Sequence, residues 1–232
     1  MEAIILAGGL GTRLRGIVDD IPKPMAPVQG RPFLEFVLDP LVSAGFHTAI
    51  LAVGYRHEAI RTHFGDAYRG LALLYSAEDE PLGTGGAIRL ACARVTTRDV
   101  FVLNGDTYLE LDHRAMFDAH LRAGAQLSLA VCLVPDVERY GAVEMGERIV
   151  RGFREKGTSG RGWINGGVYL LGPELRQRFP RRGPFSFEQD LLVTETQSIR
   201  PLAYPTTGLF IDIGMPEDYA RAQQISFSRS TS

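Results

Sequence analysis

The chain of 232 residues is 45% hydrophobic with a formal net charge of −2, enough for one α/β domain with a substantial core. That balance excludes the broad basic field that nucleic acid or an anionic membrane calls for, so an anionic ligand must be met by a local cluster or a metal. No apolar run approaches a bilayer span, no secretory leader is visible, and Cys92 and Cys132 lie far apart without a Cys-x-x-Cys pairing. Two buried thiols in a reducing, cytoplasmic compartment are expected.

The first predicted element is a strand over 3–7. It runs into Gly8-Gly9-Leu10-Gly11-Thr12-Arg13, where a glycine cluster bares backbone N–H groups to a phosphate that a Cβ would hold away. Arg13 adds a planar fork suited to phosphate oxygens, and Lys23, within Ile21-Pro22-Lys23-Pro24-Met25, adds a compact point charge. Only Lys23 and Lys156 are lysines, against twenty-three arginines. Lysine is thus an unusual choice here, and both stand beside motif-like residues.

Strands predicted over 49–53, 71–75 and 100–103 alternate with helices over 33–44, 58–64 and 87–93. That order implies βαβ crossovers and a largely parallel, doubly covered sheet. Ligands of such sheets bind outside the carboxyl ends of the strands, where the first glycine turn and Asn104-Gly105-Asp106 fall. A helix over 113–122 follows, then strands over 127–133, 142–144, 149–154 and 163–171. These suggest antiparallel or mixed pairing in a smaller β-rich lobe over the substrate, with no true linker. Residues 157–162 read as a loop, 187–193 and 217–225 as helices, 209–213 as a returning strand and 226–232 as a polar tail. The expected organisation is a domain over 1–225, its halves meeting near residue 112.

Generic nucleotide signatures fail: the opening turn lacks the third glycine of G-x-G-x-x-G, and no G-x-x-x-x-G-K-[ST] occurs. No Gly-x-Ser-x-Gly elbow and no His-Glu-x-x-His is present. The longer string Leu6-Ala7-Gly8-Gly9-Leu10-Gly11-Thr12-Arg13-Leu14, with Pro22-Lys23-Pro24-Met25, closely resembles the signature of the sugar nucleotidyltransferases, a family with a Rossmann-like doubly wound fold. Glu80-Pro81-Leu82-Gly83-Thr84-Gly85-Gly86-Ala87 matches the loop and helix start that hold base and ribose there. Asn104-Gly105-Asp106 ends a strand as the family's metal-binding aspartate does. Phe153-Arg154-Glu155-Lys156 resembles its Glu-Lys pair for the sugar phosphate, Asn165-Gly166-Gly167-Val168-Tyr169 its sugar-facing strand, and Phe210-Ile211-Asp212-Ile213-Gly214 its returning strand with a second acidic residue. The likeness covers nearly the whole chain and departs around 15–18, where relatives often carry Pro-Leu-Thr.

The resemblance implies in-line attack by a sugar 1-phosphate oxygen on the α-phosphorus of a nucleoside triphosphate, with pyrophosphate leaving. Both reactants are anions, so the task is electrostatic and positional and needs no protein nucleophile. Arg13 and Lys23 are the implied catalytic residues. Leu6, Ala7, Gly8, Gly9, Gly11, Thr12, Pro81, Gly83, Thr84, Gly85, Asn104 and Gly105 would line the nucleotide. Asp106 and Asp212 are hard oxygen ligands suited to Mg²⁺, although Asp after a strand also commonly caps turns. Glu155, Lys156, Asn165, Asp212, Tyr140 and Gly141 would meet the sugar phosphate, with core packing an equal reading for Tyr140 and Tyr169. Guanine offers two N–H donors on one edge, which a carboxylate can accept, making Glu78 in the run Glu78-Asp79-Glu80 a candidate reader; a solvated acidic turn is the bland reading.

Among short members, the likeness is to guanylyltransferases acting on D-glycero-α-D-manno-heptose 1-phosphate, enzymes of bacterial surface polysaccharide assembly. The expected partners are therefore GTP and a sugar 1-phosphate, with a homodimer left open. Mannose 1-phosphate, a uridylyl donor, or a sensor that binds nucleotide sugars without chemistry are the alternatives. No hexapeptide β-helix is seen, so no acetyltransferase activity is expected.

Overall fold

The structure, a computed structural model, describes residues 1–9, 21–54 and 57–227. In chain order the first half supplies β1 (Glu2–Leu6), a 3-10 turn (Lys23–Met25), β2 (Pro27–Val28), β3 (Arg31–Pro32), α1 (Phe33–Ser43), β4 (Thr48–Val53), α2 (Glu58–Phe64), β5 (Ala67–Tyr68), β6 (Leu71–Ala77), α3 (Gly83–Cys92), β7 (Val100–Asn104) and β8 (Thr107–Leu109). The second half supplies α4 (His113–Ala123), β9 (Leu127–Val134), β10 (Ala142–Gly146), β11 (Ile149–Arg154), β12 (Gly162–Leu171), α5 (Pro173–Gln177), a π-helix (Phe187–Val193), α6 (Thr194–Ile199), β13 (Leu202–Thr206), β14 (Phe210–Asp212) and α7 (Pro216–Ala222).

Ten strands form one mixed sheet in the order β10-β11-β13-β9-β12-β7-β1-β4-β6-β5. β7, β1, β4 and β6 run parallel, while β12 is antiparallel to both β7 and β9. The doubly wound mixed sheet read from the sequence is present, and its β-rich second half continues the same sheet through β12. Alternation along β1 explains the two layers. Ala3 and Ile5 face a core shared with Leu34 and Leu38 of α1, Ile60 of α2 and Met116 of α4. Ile4 faces the other, with Ile88 of α3, Leu175 of α5, Leu191 of the π-helix and Ile199 of α6. Strands covered on both faces read as continuous apolar runs, as Ala3-Ile4-Ile5 and Val100-Phe101-Val102-Leu103 do.

Local signals set several boundaries. α4 begins where the Asp112 carboxylate accepts from Ala115 N at 2.9 Å and ends at left-handed Gly124. β1 opens on Glu2, a buried carboxylate that accepts from Thr96 N and Thr97 N at 2.7 and 2.9 Å and from their hydroxyls at 2.8 and 3.1 Å. Burial alone would raise this carboxyl, but the four bonds outweigh it and hold it below the ordinary value. Cys132 is buried and Cys92 only partly so. Burial pushes both thiols up to about 11, away from the reactive thiolate.

The sequence reading leaves out β2, β3, β5, β8, α5, α6 and β13, and two departures have a physical reason. β13 was not predicted, because Pro201 and Pro205 demote that stretch. In the fold it pairs parallel with β9 from Leu202↔Ser128 to Thr206↔Cys132, whereas β11 meets it only at Ile149↔Leu202, so Pro205 needs no N–H on that side. The helix expected over 187–193 has π geometry, a form that recurs at functional sites. The end of the tail, 228–232, lies outside the described residues.

Candidate active site

The carboxyl ends of β1, β4, β6 and β7 converge on one edge. Ala7 N donates to Ala52 O at 2.8 Å and Gly105 N to Leu6 O at 2.9 Å, so the chain after β1 runs between its two neighbours. Half-buried Gly8 and exposed Gly9 follow. Gly11, Thr12 and Arg13 lie outside the described residues. Glu78 leans over this edge: its Oε1 would lie 3.3 Å from a Cβ on Gly8 and 3.0 Å from one on Gly54, and its Oε2 accepts from Leu82 N at 3.1 Å. The carboxylate is thus at the glycine turn, anchored at one oxygen.

Lys23 reaches the same edge from the other side. Its 3-10 turn is bracketed by Pro22 and Pro24, with Met25 N bonded to Pro22 O and Ala26 N to Lys23 O. Its ammonium pairs with Asp106 and stands 3.8 Å from Asp212 Oδ1, and the lysine side chain is only 12% exposed. The two aspartates, remote in sequence, meet because β14 pairs antiparallel with β8. Asp212 faces Thr107, and Ile213 N donates to Asp106 O at 3.0 Å. Burial, and next the charge of Asp106, raise the Asp212 carboxyl despite Lys23. Two like charges at one point suit a divalent cation. Two carboxylates are the number of protein oxygens from which a hard divalent cation is commonly held, the rest of its shell being water and phosphate oxygens; among the described residues no group of three or more His, Cys, Asp or Glu gathers.

The Pro81–Gly86 string packs against the segment Phe185–Glu188. Pro81 and Gly83 are exposed, but Gly85 is buried and donates its N–H to Phe185 O at 3.0 Å, and a Cβ on it would overlap the Phe185 ring. Thr84 donates to Glu188 Oε2 at 2.6 Å and accepts from Phe187 N at 2.9 Å. Glu188 was missed by sequence reasoning. The available signal was Ser186-x-x-Gln189 before an apolar run, a capping pattern that does form, with Ser186 Oγ accepting from Gln189 N.

Glu188 also faces β12. A bulge in β12 between Asn165 and Tyr169 inserts Gly166 and Gly167, which turns the strand and lets Asn165 Nδ2 donate to Tyr169 Oη at 2.8 Å. Tyr169 is buried, and its hydroxyl lies 3.5 Å from Glu188 Oε1. Burial, then the Glu188 charge, lift the Tyr169 phenol well above its usual value. Asn104 is adjacent, its amide near Gly167.

The remaining predicted sugar residues cluster at the end of β11. Gly141 has φ +79°, and a Cβ on it would stand 2.6 Å from Arg154 O and 3.7 Å from Lys156 N. The Tyr140–Gly141 turn is therefore laid directly on the end of β11, where Glu155 and Lys156 follow. Both of these are exposed, and among the described residues neither side chain is engaged in a hydrogen bond or ion pair. Tyr140 instead spends its hydroxyl on Asp218 of α7.

Comparison with known proteins agrees with this arrangement. The model of the nucleotidyl transferase family matches residues 2–227. The chain belongs to that family. It is 45% identical over 97% of its length to a D-glycero-alpha-D-manno-heptose 1-phosphate guanylyltransferase of Aneurinibacillus thermoaerophilus, covering 97% of that protein. The enzyme of the same name from Campylobacter jejuni is 43% identical over 94% of the chain and 97% of its own length. The fold superimposes on HddC from Yersinia pseudotuberculosis complexed with GMP-PN, with a TM-score of 0.86, 38% identity, and 96% and 98% of the two chains covered. No helix among the described residues is long and apolar enough to cross a membrane.

Proposed function

We propose that the chain transfers a guanylyl group from GTP to D-glycero-α-D-manno-heptose 1-phosphate, releasing pyrophosphate and GDP-heptose for surface polysaccharide assembly in the cytoplasm. The observation that carries the chemistry is Lys23 set beside Asp106 and Asp212 at the carboxyl edge of the sheet. The full-length identity to heptose 1-phosphate guanylyltransferases supports the donor and the acceptor.

In this reading residues 1–112 bind the nucleotide and 113–225 the sugar phosphate. Lys23 holds the α-phosphate against the incoming phosphate, neutralising the charge that two anions bring together. Arg13 meets the charge developing on the leaving pyrophosphate, and Lys156 holds the acceptor's own phosphate. Glu155, Asn165 and Glu188 accept from or donate to sugar hydroxyls, and Glu78 accepts the two N–H groups of guanine. Asp106 and Asp212 would hold Mg²⁺, which when bound supplies charge neutralisation at phosphate oxygens. No side chain is needed as a nucleophile, since the acceptor phosphate is already one.

Pyrophosphate release measured across GTP, UTP, dTTP and CTP, each with heptose and hexose 1-phosphates, tests the reading. GTP with the heptose phosphate should turn over fastest, and product mass should match GDP-heptose. Lys23→Ala should lower turnover ~10²–10³-fold with the fold intact. Silence with every pair would favour a sensor, and preference for UTP would reject Glu78 as a guanine reader.

A further inference from the structure

Helix α7 carries a buried carboxylate that the chemistry above does not use. Asp218 is 3% exposed, in the first turn of the helix. It accepts from Tyr140 Oη at 3.1 Å and from Arg139 Nη2 at 3.4 Å. Arg139 is held from a second side by Glu217 Oε2 at 2.8 Å and lies over the Tyr140 ring, 5.5 Å from its centroid. The same ring meets Phe210 of β14 edge-on, at 5.4 Å and 89°. Tyr140 is thereby fixed at its hydroxyl and on its ring, and its phenol, buried and next to the Asp218 charge, is pushed up to about 12.

The far end of α7 grips the segment after Lys23. Tyr219 Oη and Gln223 Nε2 both donate to Pro27 O, at 2.6 and 2.9 Å, and Gln29 Nε2 returns bonds to Ala222 O and Ile225 O. One helix therefore holds the Tyr140–Gly141 turn, which lies on the end of β11 just before Lys156, and the strand that follows Lys23. A carboxylate buried among these groups is costly unless its partners satisfy it, and here both partners belong to the sugar-side turn.

We infer that Asp218 is a positioning residue for the sugar 1-phosphate: through Tyr140 it sets Gly141 and the Glu155–Lys156 segment after β11 at a fixed distance from Lys23. The inference rests on the transferase reading and adds a residue that touches neither substrate. Its main effect falls on the acceptor, because its hydrogen-bond partners, Arg139 and Tyr140, both lie on the sugar side, while its charge also reaches Asp212.

Steady-state kinetics with GTP and heptose 1-phosphate test it in Tyr140→Phe, Asp218→Leu, the double variant and Asp218→Asn. Tyr140→Phe removes one hydroxyl from an otherwise intact ring, so it should fold even where Asp218→Leu does not. Each of the first two should raise KM for the sugar phosphate about tenfold, as loss of one bond to a charged group does, with KM for GTP within twofold. The double variant should be no worse than the single ones, and Asp218→Asn, which still accepts from Tyr140, should recover most of the loss. Unchanged KM for the acceptor in Tyr140→Phe, additive losses, or equal rises in both KM values would overturn the positioning role while wild-type turnover leaves the transferase reading standing. A wild type inactive with every substrate pair would remove that reading, and this inference with it.

Discussion

Gly214→Ala separates the role of Lys23 from the stability of the fold. A Cβ built on Gly214 lies 2.6 Å from Lys23 Nζ and 2.8 Å from Asp212 Oδ1, whereas ordinary contact begins near 3.4 Å. The backbone of Gly214 is not left-handed, so alanine adds no torsional strain, and its nearest obstacle is the free end of a flexible side chain. The ammonium must retreat by about 0.8 Å and the Asp212 oxygen by about 0.6 Å, and a displacement near 1 Å in positioned charges costs on the order of 10²-fold in rate. Pyrophosphate release should therefore fall about 100-fold while the melting temperature drops by no more than about 4 °C, the shift that ~1 kcal/mol gives at this chain length. Turnover within threefold of wild type, in a protein melting normally, would refute the placement of Lys23 at the reaction centre.

Other consequences concern stability. His113 is buried between Phe46 and Phe101, and burial pushes it down to about 4 despite the opposing charge of Asp112. Because the unfolded imidazole takes up its proton first, this stabilisation is complete above the ordinary value of 6.5 and is lost as pH falls from 6.5 towards 4, by about 3 kcal/mol in all. Urea unfolding should accordingly weaken between pH 7 and 5 in wild type and less steeply in His113→Phe. Glu2→Gln puts an amide N–H₂ where two backbone N–H groups and two hydroxyls donate, and should cost about 1–3 kcal/mol in the same assay. Thr84→Val removes the shortest hydrogen bond to Glu188 and the acceptor of Phe187 N and should both lower the melting temperature by several degrees and raise KM for the sugar phosphate, read by calorimetry and kinetics.

Much of the fold was legible because its central strands are buried on both faces and α4 has a capped start. Ala3-Ile4-Ile5, Val100-Phe101-Val102-Leu103 and the Asp112 cap each announce themselves within a few residues. β13 was not legible, since the prolines that argue against a strand are tolerated only because β11 touches it at a single residue. The convergence of Lys23, Asp106 and Asp212 came from motif resemblance; residue type alone allowed turn capping equally well. Glu188 and Asp218 were missed for a common reason. Each makes its hydrogen bond to a residue far along the chain, Thr84 in one case and Tyr140 in the other, and no local pattern encodes a partner that topology supplies.

The Gly83-Thr84-Gly85-Gly86 string shows how one motif serves two ends. Resemblance assigns it to base and ribose, and the structure adds a packing demand on the same residues. Gly83 and Gly85 accept the backbone and ring of Phe185 at distances no Cβ permits, and Gly85 and Gly86 both donate to Phe185 O. That contact brings Glu188, two residues beyond Ser186, within 2.6 Å of Thr84 and beside the Tyr169–Asn165 pair. These glycines therefore also determine where the Glu188 carboxylate sits relative to Tyr169 and Asn165. A substitution at Gly85 should consequently impair the acceptor as much as the donor, an outcome that a purely nucleotide-facing loop would not produce.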